Sequence, residues 1–383
     1  MTSNISSLPD RSAGFVPHRL VEARMSRRLS RSEVGRLVGV SGQAIAYYES
    51  GERRPDMSAV LKFSDALGRS PGFFLHPGPP FGGSCGTRFF RSTGHRSNRL
   101  NESLDVRLKW LWEISSFLAD MVRFPEPNIA PPSLISGDGY LLTEIEHVAM
   151  QTRRHWGLGD GPIANVVALL ETHGVILTRF SMGSERIDAF SSWLSGRPYI
   201  VLGSGKQSSV RSRFDAVHEL AHLILHQDVS QEDMESPKVR ERIEREANQF
   251  AGAFLLPRAS LLGEFYSTRL NHLQGLKRRW RVSMQAIAHR AMQIGALDEE
   301  QYINFRKQMS AKKWITMEPL DDEISFEEPS FLRKSWELVS ARTENICAAE
   351  SGFWLGPDLI EEVAGFAPFS QPTDESVLRR ISI

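Results

Sequence analysis

From Val16 to Leu75, short runs of apolar residues at helical spacing follow one another, each closed by a turn signal, and predict a small all-helical module. Residues 76–83 then stack Pro and Gly, which continue neither helix nor strand, and mark a boundary. Leu104, Leu108, Leu111, Ser115 and Leu118 recur on one face and predict a helix over 100–122, ahead of a second Pro-rich break at 125–132. Helical patterns return over 144–156 and 163–173. The period then changes: Gly174 stops the helix, and the β-branched residues up to Phe180 read as a strand. Residues 187–193 and 198–202 flank Ser195, Gly196 and Arg197, a turn signal that predicts a hairpin. Helices resume at about Ser209 and run to about Leu297, and the stretch from Trp314 mixes acidic loops with helical segments.

A chain of 383 residues exceeds one ordinary hydrophobic core. The expected fold class is α+β multidomain: an all-α helix-turn-helix head over 15–76, a linker with a helix over 77–135, a helical domain with a small sheet over 136–297, and a mostly helical C-terminal region of unassigned role over 298–383. Residues 1–14, Ser-rich and aperiodic, read as a disordered lead-in. No run of about 18 apolar residues occurs and the polar N-terminus does not resemble a secretory signal, so the expected location is the cytoplasm, with no membrane contact. Cys85 and Cys347 lack any CxxC spacing, which leaves His and carboxylate groups to hold any metal.

The net charge is zero, but its distribution is uneven. Between Arg11 and Leu75, eleven Arg or Lys face six acidic residues, an excess of five positive charges suited to a phosphate backbone. Within this module Ser30 can cap a helix through Val34 and Leu37, Gly39 supplies a turn, and Ser41 can cap a second helix that buries Ala44 and Ile45. The segment from Arg24 to Pro55 resembles the XRE family of phage-repressor-like regulators. That resemblance implies a lambda-repressor-like head in which Gln43 and Tyr47 read bases, Arg31 and Ser41 lie near phosphates, and Arg53 and Arg54 contact the DNA backbone. It also implies a homodimer on a two-fold DNA operator. Gly42 departs from the family pattern, where a longer polar side chain usually stands. A protein-docking or dimerisation unit is the alternative reading of the module.

His218-Glu219-Leu220-Ala221-His222 forms an HExxH motif inside an apolar helical segment. Histidines four apart stand one turn above each other and can share one ion, while Glu219 can reach a water on it as general base. His226 adds one more turn and suits a supporting role, because a fourth protein ligand would close the site. The helical segment 241–254 downstream offers a carboxylate. The pair HELAH and EREANQFAGAFLLP, preceded by Ile187 to Trp193, is similar to the ImmA/IrrE family of metallopeptidases over roughly Gly161 to Arg290. The resemblance implies a zincin-like fold with His218, His222 and Glu246 as metal ligands and Glu219 as catalytic base; Glu244 is the competing carboxylate. Asn248 and Asp215 are candidates to orient a histidine, and Tyr199, Tyr266 and His272 to stabilise an oxyanion. The strand 187–193 is expected to hold an extended peptide by edge pairing.

The expected cofactor is Zn2+, with manganese or another divalent ion compatible with the same donors. Relatives in the family cleave transcriptional repressors. The resemblance therefore implies a DNA-binding zinc endopeptidase whose protein substrate is a partner repressor or antitoxin-like regulator. The alternative is a DNA-binding repressor whose HExxH domain senses a metal or ligand without cutting.

Overall fold

The computed structural model describes residues 14–80, 89–92, 98–129, 139–184, 187–205, 208–230, 232–342 and 354–368. The expected lead-in up to residue 13 and both cysteines lie outside the described residues. The chain divides into two compact units, one from Met1–Gly82, His95–Val122 and Arg333–Ile383, the other from Gly83–Gly94 and Arg123–Leu332. Among the described residues no helix is long and apolar enough to cross a membrane.

The first unit contains α1 (Pro17–Ser26), α2 (Arg31–Val38), α3 (Gly42–Ser50), α4 (Met57–Leu67) and α5 (Asn98–Ala119). Capping sets these short helices: the side chains of Ser30, Ser41 and Asp56 accept the backbone N–H three residues on, each worth about 1 kcal/mol. The C-caps Gly39, Gly51 and Gly68 turn left-handed. The helix expected over 100–122 is α5, and it packs on α1. Arg19, fully buried, bonds Glu113 at 2.8 Å and Glu22 at 2.7 Å, and Trp110 donates to Glu22 at 3.0 Å. The expected C-terminal region joins this unit in part, since Trp354 donates to Glu113 at 2.9 Å and Glu362 pairs with Arg69 at 2.7 Å. A buried charge is tolerated only when paired, so these side chains fasten segments far apart in sequence.

The second unit holds β1 (Phe89–Ser92), α6 (Leu142–His155), α7 (Val166–Thr172), β2 (Ile176–Phe180), β3 (Ile187–Leu194), β4 (Arg197–Gly203), α8 (Ser209–Leu225), α9 (Pro237–Leu255), α10 (Arg258–Glu264), α11 (Leu270–Trp280), α12 (Met284–Gln293) and α13 (Glu299–Ala311). Its sheet has the order β1-β3-β4-β2. The predicted hairpin is β3–β4; Ser195 and Gly196 turn it at φ 48° and 76°, the mirror-image turn that matches strand twist. β2 lies parallel to β4, and β1 pairs antiparallel with β3 through Phe89 and Ser191. That last pairing corrects the expectation for residues 187–193: with β4 on one side and β1 on the other, β3 is an interior strand from Ile187 to Ser191.

A single apolar core joins the sheet to α8 and α9. Val217, Leu220, Ala221 and Ile224 of α8 and Ala247, Phe250, Ala251 and Phe254 of α9 are almost fully buried. These i, i+3, i+4 and i+7 spacings fix the rotation of each helix about its axis, and so fix which polar residues face each other.

Candidate metal centre and helix-turn-helix face

With α8 rotated to bury its leucines, His218 and His222 leave on one side one turn apart, both fully buried, with Nε2 atoms 3.1 Å from each other. The carboxylate that meets them comes from Glu244: its Oε2 lies 3.3 Å from His218 Nε2 and its Oε1 3.6 Å from His222 Nε2. One ligand atom from each of these three residues lies within 4.8 Å of the other two. Two imidazoles and a carboxylate are a donor set suited to zinc or another divalent ion, so the residues fit the implied metal.

Glu246 does not join this cluster. Its Oε2 accepts from His226 Nε2 at 3.0 Å and its Oε1 from the backbone N–H of Tyr140 at 3.1 Å. The reason is helical geometry: positions two apart point about 200° away from each other, so Glu244 and Glu246 cannot face one point. Asn248, one turn beyond Glu244, shares the histidine-facing side; its Nδ2 donates to Glu244 O at 2.7 Å and its Oδ1 lies 3.2 Å from His218 Nδ1. The geometry thus favours Glu244, the competing carboxylate, over Glu246, the one the resemblance implied. Burial pushes the Glu244 carboxyl upward, but its contacts with His218 and His222 outweigh burial and hold it well below the usual carboxylate range.

Glu219 is fully buried beside the histidines, and the Ser191 hydroxyl on β3 donates to its Oε2 at 2.7 Å. Ser191 had no signal beyond its place in a strand. Tyr140, also unanticipated, donates its hydroxyl to Leu225 O at 3.2 Å and so ties the segment ahead of α6 to the end of α8. His226 Nδ1 lies 3.0 Å from His222 Nδ1. Burial, only partly offset by the bond to Glu246, lowers the His226 pKa to about 4 and leaves the ring neutral at neutral pH.

Asp215 and Asn248 line a cavity of about 840 Å3 with Asp188, Glu241, Arg245 and His289. Tyr199 is buried in β4, paired with Ile176 and Ser192. Tyr266 is 82% exposed with its ring 3.9 Å from that of His272, and both line a separate cavity with Glu264 and Arg279.

The helix-turn-helix face is built on short-range contacts. Glu33 completes a capping box with Ser30, and Ser41 Oγ accepts from Ala44 N at 3.1 Å, starting α3 with Ile45 fully buried. Gly42 has a packing cause: a Cβ there would lie 2.9 Å from Ser32 Oγ and 3.1 Å from Ser32 Cα, so the approach of α2 to α3 excludes the longer side chain. Gln43, Arg53 and Arg54 are exposed, and the Arg53 guanidinium stands 4.8 Å over the Tyr47 ring. Arg31 keeps 55% of its side chain exposed while its Nε bonds Glu49 at 2.6 Å, where Arg24 also bonds.

Comparison with known families agrees with both regions. Residues 170–292 match the peptidase family model described as an IrrE N-terminal-like domain, and residues 20–74 match a helix-turn-helix model. No curated protein matches the chain. An XRE-type helix-turn-helix segment is therefore joined to an ImmA/IrrE-like metallopeptidase segment in one chain.

Proposed function

For a chain that joins these two segments, we propose a DNA-binding, zinc-dependent endopeptidase that regulates transcription by cleaving a partner repressor or antitoxin-like protein. The observation that carries this reading is the convergence of His218 Nε2, His222 Nε2 and the Glu244 carboxylate within 4.8 Å, with the buried Glu219 carboxylate on the same helix. His218, His222 and Glu244 hold the ion. When bound, the metal supplies Lewis-acid polarisation of a peptide carbonyl and acidifies a water from near 16 to about 7. Glu219 takes the water's proton and returns it to the departing amine. Ser191 holds Glu219 through its hydroxyl, so the carboxylate keeps one rotamer while it gains and loses that proton.

In the head, Gln43 and Tyr47 face base edges, Ser41, Arg31, Arg53 and Arg54 face phosphates, and two copies bind a two-fold operator as a homodimer in the cytoplasm. The DNA brings the enzyme to the regulators bound beside it.

Glu219→Gln separates this reading from that of a metal-sensing repressor. The variant keeps the ligand set and the head, so it should bind Zn2+ and operator DNA as the wild type does and no longer cleave a co-expressed neighbouring regulator. A wild type and a variant that both leave every such regulator intact would overturn the peptidase reading.

A further inference from the structure

His226 and Glu246 lie outside the ligand set, yet both are almost fully buried and joined to it in series. We propose that Glu246 and His226 are positioning residues that fix the tautomer of His222, so that its Nε2 lone pair faces the metal. This rests on the metal-centre reading above.

The proton assignment follows from which atoms can donate. A carboxylate only accepts, so the 3.0 Å contact between Glu246 Oε2 and His226 Nε2 places the His226 proton on Nε2. A neutral imidazole carries one N–H, which leaves His226 Nδ1 as an acceptor. The 3.0 Å contact between His226 Nδ1 and His222 Nδ1 then needs its proton on His222. His222 Nε2 is left with its lone pair, directed at His218 Nε2 and Glu244. His218 reaches the same state by a shorter route: the Asn248 amide donates its Nδ2 to Glu244 O, so its Oδ1 accepts from His218 Nδ1. Two lone pairs therefore converge beside a carboxylate.

Glu246 is itself held in place. The Tyr140 N–H claims its Oε1, and Gly139, at φ 102°, allows that approach because a Cβ there would lie 2.6 Å from Oε1 and 2.7 Å from Arg242 Cδ. This makes Glu246→Gln a directional test. Tyr140 N–H continues to select an oxygen, so the glutamine NH2 turns toward His226 Nε2 and donates to it. His226 must then carry its proton on Nδ1, His222 must accept there, and the His222 proton moves to Nε2, in the metal's path.

The full-length chain, freed of metal with a chelator, is titrated with Zn2+ against a chromophoric competitor. Disruption of a hydrogen-bond partner behind a ligand weakens affinity by about 10–100-fold, and Glu246→Gln should fall in that range while its metal-free melting temperature stays near wild type. Glu246→Asp, which remains an acceptor only, should recover part of the loss. Long-range 1H–15N spectra of the metal-free wild type should show His222 and His218 as Nδ1–H tautomers, a readout that needs no variant to fold. An unchanged Zn2+ affinity in Glu246→Gln, or a wild-type His222 protonated on Nε2, would overturn the proposal. A wild type that binds no Zn2+ but shows the Nδ1–H tautomer would overturn the metal centre and leave the positioning chain standing.

Discussion

Two helix pairs bear the candidate site residues of this chain, α2–α3 and α8–α9, and they dispose of their polar residues in opposite ways. In α2–α3 the buried apolar residues are Val34, Val38 and Ile45, the caps are local, and Gln43, like Arg53 and Arg54 just past α3, is exposed. In α8–α9 the polar residues are enclosed: His218, Glu219, His222, His226 and Glu246 are all at most 2% exposed. An outward polar face needs only correct helix starts and a correct crossing. An inward one also needs every proton placed, because an unpaired buried polar group costs about 1–3 kcal/mol. The first pair should therefore tolerate removal of single polar side chains, and the second should not tolerate a removal that leaves a buried partner unpaired.

Glu244→Ala tests the inward pair hardest. Removal of a ligand oxygen should lower Zn2+ affinity by more than the roughly 10–100-fold expected for a residue behind a ligand, measured by competition titration. Retention of wild-type affinity would return the third position to Glu246. Next in size is Gly42→Leu in the outward pair. The added side chain must displace Ser32, at about 1–3 kcal/mol, so operator binding should fail while Zn2+ content stays unchanged. Equal DNA affinity would mean that the α2–α3 contact does not set the crossing. Arg53→Ala should do less: a single phosphate contact lowers the slope of log affinity against log salt by about 1 and leaves sequence preference intact.

The smallest effect is a pH response in the first unit. His76 stacks on Trp354 with ring centroids 4.2 Å apart and accepts from the Gly78 N–H at Nδ1. Burial first, and then the Arg19 charge, holds its pKa below the usual 6.5. The folded state thus binds this proton less readily than the unfolded chain. The stabilisation is complete above pH 6.5 and fades as pH falls through the lowered value. Acidification should shift the unit's melting curve, read by tryptophan fluorescence, and His76→Phe should flatten the response.

Much of this was legible because it is local. HExxH needs only one helical turn, the hairpin announces itself at Ser195 and Gly196, and Ser30, Gly39 and Ser41 punctuate the head in order. What escaped the sequence depends on tertiary register. Glu244 and Glu246 are chemically equivalent in the string EREAN; only the burial of Ala247, Phe250 and Phe254 rotates one of them onto the histidines. Ser191 and Tyr140 carry no motif, and reach Glu219 and Leu225 only through what β3 and the segment ahead of α6 lie against. Likewise Gly42 reads as a departure from the family until Ser32 is seen beside it. The reading of 77–135 foresaw the face of α5 that Leu104, Leu108, Leu111, Ser115 and Leu118 bury, but not the β1 pairing or the Arg19–Glu113 bond, since the partners of each lie far away in sequence.

Lys277 has consequences for where the peptidase-like segment can be cut from its gene. Its ammonium is fully enclosed and bonds Glu318 at 3.0 Å and Asp321 at 2.6 Å, while Arg213 pairs with Glu327. All three acids lie downstream of residue 292, where the match to the peptidase family ends. A fragment trimmed to that match would strand two enclosed cations, each at a cost of about 3–5 kcal/mol, comparable to the whole stability of a modest domain. Expression of this half for crystallography or assay therefore calls for a stop codon beyond Leu332, the limit of the compact unit.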